Sequence, residues 1–573
     1  MVWYGMVYIN MCTVTHGTHA LYCIQSNYAA SIMSSSTDST RDLDCAIQWL
    51  DSLQVTDIIH PNYFNTTKLH ELNQLYTQHT PFKLIQLHNI LEESYAVQLR
   101  SELLELEYYV KSNDLFDLMQ SNDLANTADR AKPLHLLDKL FTTLYSTEFM
   151  QSLYKLTGIK LDPYNSTVSC SANVYSDTHH LLCHDDQLQS RRIAYIIYMI
   201  DSSLPWTAQQ GGTLDLYDID ADGNPNMIVQ SYTPEFNTMI LFEVTPYSYH
   251  RVAEVIKRIH TQTNQHNESV SKKQKLQHND DGDELSEIHS LRLSISGWYH
   301  GSPINYPTVK LPQQASLTQP IQLHNVQLSD YINDVYLNKK QQKQIKKQFC
   351  DVSSVQLSSF LLPSIYQQLL HELQQSELDT TTSGIQWVHV GPANWRHYQN
   401  AEFNNNTAQP VTYQLNQLIQ SQPFILLLHK LTGIDIDTCQ STVRQFKHGD
   451  YTLAHDHDPE IRNEALDLNL CILPADIEWS ESYGGTIHYI GAGETEELEC
   501  IQPINNTLSL VYRTGVDSED NNDQVAGVLQ FTKYINHHAP CTKYDIQALY
   551  RPVVQSSSSE SSDEGNVDQK HNT

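Results

Sequence analysis

Long uncharged apolar runs are missing from these 573 residues. No stretch of about 18 apolar residues without charge occurs, so no segment has the length to cross a bilayer as a helix. Regularly spaced cysteines are missing too: ten are scattered with no C-x-x-C pair. That pattern argues against a structural zinc site or a disulfide framework and suits reduced thiols in the nucleus or cytoplasm. Basic charge is scarce, with 35 Lys and Arg against 66 Asp and Glu, a formal net charge of −31. Phosphate contacts need clustered cations, so the balance speaks against direct nucleic-acid binding. A basic protein partner fits such a field, and so does plain solubility. The opening "MVWYGMVYIN" has no basic region, and the first acidic or basic side chain is Asp38. It is expected to be an extension rather than a secretion signal.

What is present is a repeat. "LYKLTGIKLDPYNSTV" at 153–168 returns as "LHKLTGIDIDTCQSTV" at 428–443, an offset of 275 (430 − 155). "GGT" at Gly211 returns at Gly484, an offset of 273 (484 − 211). Two related halves are therefore expected, within the two to four domains that the length allows. Before each "KLTGI" lies a segment of helical periodicity, "LIQLHNILEESYAVQLRSELLELEYYV" and "FLLPSIYQQLLHELQQSEL". After each come short alternating runs broken by Gly, Pro and Asp: "RIAYIIYMI", "GGTLDLYDI", "MILFEVT", "SYHRVAEV" and "LRLSISGWY" in the first half. The second half offers "STVRQFKHGDYTLAHDHD", "GGTIHYI", "NTLSLVYR" and "VLQFTKYI". Many short strands predict a sandwich or barrel, so the expected class is mainly β with flanking helices. Residues 1–60 and the acidic tail 553–573 are expected to be disordered, and the polar stretch 257–287 to be a surface loop.

One constellation carries chemistry. In "LLCHDDQL", His184 and Asp186 are two apart, which on a strand aims both at one face. His250, in a later strand, completes a set of two imidazoles and one carboxylate, the facial arrangement of non-haem Fe(II) oxygenases. A His-x-Asp triplet alone is a weak signal, since most such triplets are surface polar residues. In "LRLSISGWY", Arg292, Ser294 and Ser296 alternate with Leu291, Leu293 and Ile295. An arginine facing a barrel interior needs an anion, because an unpaired buried charge is costly. A dicarboxylate co-substrate would supply one bidentately, and a structural salt bridge is the competing explanation.

In their order, "LLCHDDQLQSRRIAYIIYM", "GGTLDLY", "MILFEVTPYSYHRVAEV" and "RLSISGWYHG" resemble the 2-oxoglutarate-dependent prolyl 3-hydroxylases and 3,4-dihydroxylases that act on a ribosomal protein of the small subunit. The similarity spans roughly 80–550. It implies two tandem double-stranded β-helix (jelly-roll) domains, a catalytic one at 61–302 and a degenerate one at 351–552, joined by a linker and lead-in at 303–350. It implies His184, Asp186 and His250 as iron ligands and Arg292 as the clamp on 2-oxoglutarate, with Tyr198 and Tyr175 helping to hold that co-substrate. Fe(II), 2-oxoglutarate, O2 and L-ascorbate are the implied cofactors. The implied reaction hydroxylates proline while 2-oxoglutarate becomes succinate and CO2, in the nucleus and cytoplasm, with an effect on translation termination or fidelity. The second domain would be where translation or transcription regulators dock. The chain departs from the family, which keeps His250 and Arg292 close together; here 42 residues separate them (292 − 250) because of the polar stretch between.

In the second half, "LAHDHDPE" places His455 opposite His184 and His457 opposite Asp186. The carboxylate is gone; "LSLVYRTGVDSEDNNDQ" offers no histidine for His250, and "LQFTKYIN" no arginine for Arg292. His455, Asp456, His457 and Asp458 are expected to hold hydrogen bonds in the repeated core, with a different metal as the alternative. Two further functions stay open: a silent binding or regulatory module, and an oxygenase of this fold acting on lysine or arginine.

Overall fold

A computed structural model describes residues 53–125, 135–162, 170–188, 190–257, 291–306, 316–324, 326–378, 384–403, 409–455, 463–491, 497–515 and 527–553. The surface-loop segment and the acidic tail, save 257 and 553, and nearly all of the N-terminal extension lie outside these residues. The last part of that extension does not behave as expected. Ile58 and Ile59 are fully buried in the first core, so the packed chain begins before residue 61.

The first half contributes β1 (Leu84–His88), β2 (Tyr109–Ser112), β3 (Phe116–Gln120), β4 (Cys170–Tyr175), β5 (His180–His184) and β6 (Arg191–Tyr198). It continues with β7 (Leu214–Ile219), β8 (Pro225–Tyr232), β9 (Thr238–Glu243), β10 (His250–Val252) and β11 (Arg292–His300). They pair antiparallel in the order β1-β9-β6-β11-β4-β3-β5-β10-β7-β8, with β2 beside β3. β3 holds β4 through Met119 and Gln120 and β5 through Phe116 and Asp117, so the sheet curls back on itself. Helices Glu93–Leu104, His135–Leu144 and Thr147–Thr157 cover one face, and their leucines share a core with Val174, Ile197, Leu293 and Ile295.

The second half contributes β12 (Ser354–Leu357), β13 (Ile385–Val390), β14 (Arg396–Phe403), β15 (Ile436–Phe446), β16 (Tyr451–Thr452) and β17 (Ala465–Ile472). Then follow β18 (Ile487–Gly491), β19 (Glu497–Ile501), β20 (Thr507–Arg513), β21 (Val528–Thr532) and β22 (Lys543–Pro552). Their order, β12-β20-β17-β22-β15-β14-β13 with β16 beside β14, and β19-β18-β21 as a separate sheet, follows that of the first half, except that β16, the counterpart of β5, does not pair with β21 as β5 does with β10. The fold is thus mainly β with flanking helices, two tandem jelly rolls. The segment expected as linker also joins a core. Helix Lys339–Val352 is polar on most of its surface but buries Ile345 and Phe349, four apart on one face, in the second core.

The repeated "KLTGI" is a helix stop. Thr157 Oγ1 donates to the Leu153 carbonyl at 2.8 Å and accepts from Ile159 N at 3.1 Å; Thr432 does the same with Leu428 and Ile434 at 2.8 and 3.2 Å. Gly158 and Gly433 then take the left-handed conformation, with φ of 74° and 88°, that ends a helix without a Cβ clash. The repeat is a local solution used twice to end the helix that precedes β4 in one half and β15 in the other.

The halves touch each other. Leu182 of β5 packs with Tyr451 and Tyr534, and Cys183, Tyr217 and Tyr249 pack with Ala393. Strand β5, which carries His184, therefore lies against the second barrel.

Candidate active site

His184 closes β5, His250 opens β10, and the two are register partners. Nδ1 of His184 lies 2.8 Å from the Leu182 carbonyl, and Nδ1 of His250 lies 2.8 Å from the Ser248 carbonyl. A carbonyl only accepts, so each ring carries its proton on Nδ1 and turns Nε2 inward. Each Nε2 is 3.5 Å from Asp186, His184 from Oδ1 and His250 from Oδ2. All three ligand atoms fall within 4.8 Å of one another.

Asp186 reaches this point by another route than the expected strand spacing. It lies past the end of β5 with φ of +61°, and that left-handed kink swings its carboxylate between the imidazoles. Aspartate tolerates this region better than most residues. Arg191 fixes the carboxylate from behind, its Nη1 3.8 Å from Oδ1 while its guanidinium lies 3.5 Å over the Trp298 ring.

Electrostatics separates the two aspartates of "CHDD". Burial pushes Asp185 up to about 6. Burial acts on Asp186 in the same direction, but His184, His250 and Arg191 overcome it and hold that carboxyl well below the usual range. Burial opposes charging His184, yet Asp186 raises that ring; burial and the His184 charge push His250 down to about 4. The triad thus gathers a proton between acceptors, where a divalent ion would displace it. Two imidazoles and one carboxylate converging from one side fit Fe(II).

Arg292 starts β11, directly opposite Tyr175 of β4, while its neighbour Ser294 faces Tyr198 of β6. Its side chain is 1% exposed. Nε donates to the Gly212 carbonyl at 2.6 Å, Nη2 reaches the Tyr198 hydroxyl at 3.5 Å, and the guanidinium lies 4.7 and 5.1 Å from the Tyr175 and Tyr198 ring centres. Among the described residues no carboxylate pairs with it, so a structural salt bridge does not account for it. Burial pushes both tyrosine hydroxyls up, Tyr175 to about 12, so both remain neutral donors beside the cation. "GGT" serves the same pocket. A Cβ on Gly212 would meet Arg292 Cδ at 2.8 Å, and one on Gly211 would sit 1.8 Å from the Glu254 carbonyl oxygen.

The chain is similar to a prolyl 3-hydroxylase, OGFOD1, of Xenopus laevis, 31% identical over 492 residues, which cover 80% of this chain and 84% of that one. The mouse prolyl 3-hydroxylase OGFOD1 is 31% identical over 535 residues, covering 80% and 85%. A prolyl 3,4-dihydroxylase of Ostreococcus tauri is 29% identical over 517 residues, covering 82% and 95%. The chain belongs to the 2-oxoglutarate- and iron-dependent prolyl hydroxylase family. As a member it is an oxidoreductase that uses Fe(II), 2-oxoglutarate and O2. The family model "2OG-Fe(II) oxygenase superfamily" matches 170–266, which includes the triad, and "Oxoglutarate and iron-dependent oxygenase degradation C-term" matches 324–559, the second jelly roll.

Within this prolyl hydroxylase the second barrel corrects two expectations. β21, in "VLQFTKYI", corresponds to β10 rather than β11: Val252 pairs with Leu214 three residues after Gly211, and Thr532 with Ile487 three after Gly484. Gln530 therefore stands where His250 does. The counterpart of β11 is β22, which is longer than any other strand of its sheet except β15 and was not picked out as a strand from its sequence. Lys543 opposite Phe446 then takes the place of Arg292 opposite Tyr175, so a cation is retained at the clamp position. His455 lies nine residues after Phe446, as His184 does after Tyr175, in agreement with the expected pairing. Its Nε2 donates to the Asn394 carbonyl at 2.8 Å and its ring stacks on Trp395 at 3.8 Å. Asp456, His457 and Asp458 lie outside the described residues.

Sequence reasoning missed Arg191, Trp298 and Gly212. The signal for Arg191 was the pair of basic residues, Arg191 and Arg192, opening the apolar run of "RRIAYIIY", where alternation turns one of the two charges inward and it must find a partner.

Proposed function

We propose that the first jelly roll hydroxylates a proline of a small-subunit ribosomal protein, with His184, Asp186 and His250 holding Fe(II). Arg292 binds the distal carboxylate of 2-oxoglutarate, and Tyr175 and Tyr198 donate to the same molecule. The observation that carries this reading is the buried Arg292 without an internal carboxylate on a barrel that also gathers two histidines and an aspartate. The prolyl hydroxylases to which the chain is similar along most of its length support proline as the target residue.

Bound Fe(II) with 2-oxoglutarate and O2 supplies the oxidation, in which 2-oxoglutarate becomes succinate and CO2 and a proline C–H becomes C–OH. The chain's own residues orient and exclude. The Leu182 and Ser248 carbonyls hold the rings in the ligating tautomer, and Arg191 keeps Asp186 turned toward them. The apolar wall of Leu214, Leu216, Ile240 and Phe242, with the Phe242 ring 4.7 Å from that of His250, keeps the pocket dry. A dry pocket strengthens the pairing of Arg292 with a carboxylate. L-ascorbate would serve as the reductant for an iron held by the triad, and the seven described cysteines, all free, suit the nucleus and cytoplasm as the site of action. Through that substrate the activity bears on translation termination or fidelity, and the second barrel offers the surface for translation or transcription regulators.

Incubating the chain with purified small ribosomal subunits, Fe(II), 2-oxoglutarate and ascorbate tests this by peptide mass spectrometry. A gain of one oxygen on a proline is expected. Succinate release with no modified proline in any small-subunit protein would refute the substrate while leaving the site intact.

A further inference from the structure

A second group of two histidines and a carboxylate lies where the barrels meet. Asp177 follows β4 in the first barrel; His537 and His538 follow β21 in the second. His538 Nε2 is 2.6 Å from Asp177 Oδ2, and His537 Nε2 is 3.4 Å from Asp177 Oδ1. The three ligand atoms lie within 4.8 Å of one another. Ligands at roughly 2.0–2.2 Å from a tetrahedral zinc sit about 3.3 Å apart; the His537 pair is already at that spacing, and the direct His538 hydrogen bond to the other carboxylate oxygen would open as an ion entered.

Behind the group stands Glu254, 3% exposed in its side chain and contributed by the first barrel. Its Oε1 lies 2.7 Å from His537 Nδ1 and accepts from the His537 backbone N at 3.1 Å; Oε2 lies 2.5 Å from His448 Nε2 and accepts from the Tyr534 hydroxyl at 3.2 Å. A carboxylate so committed makes Nδ1 the protonated nitrogen of His537 and leaves Nε2 to face Asp177. Metal-bound histidines are held this way, by a carboxylate on the far ring nitrogen. Direct pairing of His538 with Asp177 alone, at a half-exposed position, would be worth little in water and needs no such backing for the neighbouring ring.

We propose that Asp177, His537 and His538 bind a late divalent transition ion of the zinc class, with water completing the shell, and that this ion ties the two barrels together. Two imidazoles and one carboxylate select zinc-like ions over magnesium or calcium. Glu254 is a positioning residue that holds His537 in the ligating tautomer. The site is separate from the triad of the first barrel and takes no part in 2-oxoglutarate chemistry.

The test uses the full chain carrying His184→Ala and His250→Ala, stripped with chelator, so that the first triad does not compete. Zinc(II) is titrated against a chromophoric chelator, and cobalt(II) is added separately to read its visible absorption. One equivalent of zinc and a cobalt spectrum of low coordination number are expected. His538→Ala and Asp177→Asn should each weaken zinc by more than about tenfold, and Glu254→Gln by about tenfold. His538 is 51% exposed, so its replacement leaves the packing between barrels in place and reads ligation rather than unfolding. Zinc should also raise the melting temperature of this chain and fail to do so once His538→Ala is added. Absence of a bound equivalent, or binding indifferent to His538→Ala and Asp177→Asn, overturns the proposal. So does binding that disappears only with Cys500→Ser, which would put the ion on His488, Glu497 and Cys500 instead.

Discussion

Strand β11 of the first barrel begins with Arg292 and strand β22 of the second with Lys543, yet the two buried cations meet opposite surroundings. Two residues on, the first barrel has Ser294 and the second has Asp545. Asp545, fully buried, lies 3.2 Å from Lys543 Nζ and takes both Arg444 Nε at 2.7 Å and Nη2 at 2.9 Å. The second barrel thus carries on its own strand the carboxylate that the first leaves for a ligand to bring. The metal end differs in the same sense. His184 gives its Nδ1 proton to a carbonyl and turns Nε2 inward, whereas His455 commits Nε2 itself to the Asn394 carbonyl. One scaffold becomes a site when its polar interior is left unsatisfied, and a structural core when it is closed internally.

The largest effect should come from breaking the open side of this comparison. His184→Ala, Asp186→Ala or His250→Ala each removes one of three protein ligands, so 2-oxoglutarate turnover should fall to background while the fold persists. Succinate release measured on each variant decides it, and substantial activity in all three would sink the site.

Next in size is Arg292→Ala. A charge-assisted pair is worth about 1.5–3 kcal/mol, so the 2-oxoglutarate KM should rise roughly ten- to a hundredfold. Arg292→Lys should recover only part, because an ammonium lacks the fork that meets a carboxylate with two parallel bonds. An unchanged KM would mean that another cation holds the co-substrate.

The closed side should answer in stability instead of turnover. Asp545→Asn leaves Arg444 and Lys543 buried without their anion, which should cost about 3–5 kcal/mol in urea unfolding and leave the KM for 2-oxoglutarate as it was. Burial would raise the Asp545 carboxyl, but Arg444 and Lys543 override it and hold it well below its ordinary value. The sign follows: a carboxyl depressed in the folded state stabilises above its unfolded pKa near 4, and that stability is lost as pH falls toward the folded value. Wild type should therefore lose stability more steeply than Asp545→Asn as pH drops below about 5. Parallel pH profiles would mean that Asp545 carries no net charge pairing.

These contrasts also mark what the sequence made legible. The repeat, the mainly β class and the strands around the site were readable from alternation, and His184, Asp186, His250 and Arg292 stood out by residue type and spacing; Tyr175 and Tyr198 were reached only through the resemblance to the prolyl hydroxylases. Strand β22 was not readable, since Lys543 and Asp545 stand where a buried strand normally shows apolar side chains, and their pairing with Arg444 is invisible along the chain. Helix Lys339–Val352 read as linker because few of its side chains are buried. The kink at Asp186 has no marker, as nothing in "CHDDQ" distinguishes a left-handed aspartate from one continuing the strand. The contact of Glu254 with His448 and His537 joins residues 194 and 283 apart (448 − 254 and 537 − 254), beyond the reach of any local pattern.

The smallest effect is expected where the copies look most alike. His455→Ala, alone or with His457→Ala, should leave 2-oxoglutarate decarboxylation unchanged and the co-substrate-dependent Fe(II) content at one equivalent per chain. At this position the ring nitrogen that answers the His184 ligand is already bonded to the Asn394 carbonyl, Gln530 replaces the second histidine, and Asp545 neutralises the cation at the clamp position. The cost of the change is the stacking on Trp395 and one hydrogen bond, about 1 kcal/mol of stability. Iron analysis in the presence of 2-oxoglutarate reads the outcome. Two equivalents in wild type, with one lost in the double variant, would mean that the second barrel is an open site after all and that its internal carboxylate yields to the co-substrate.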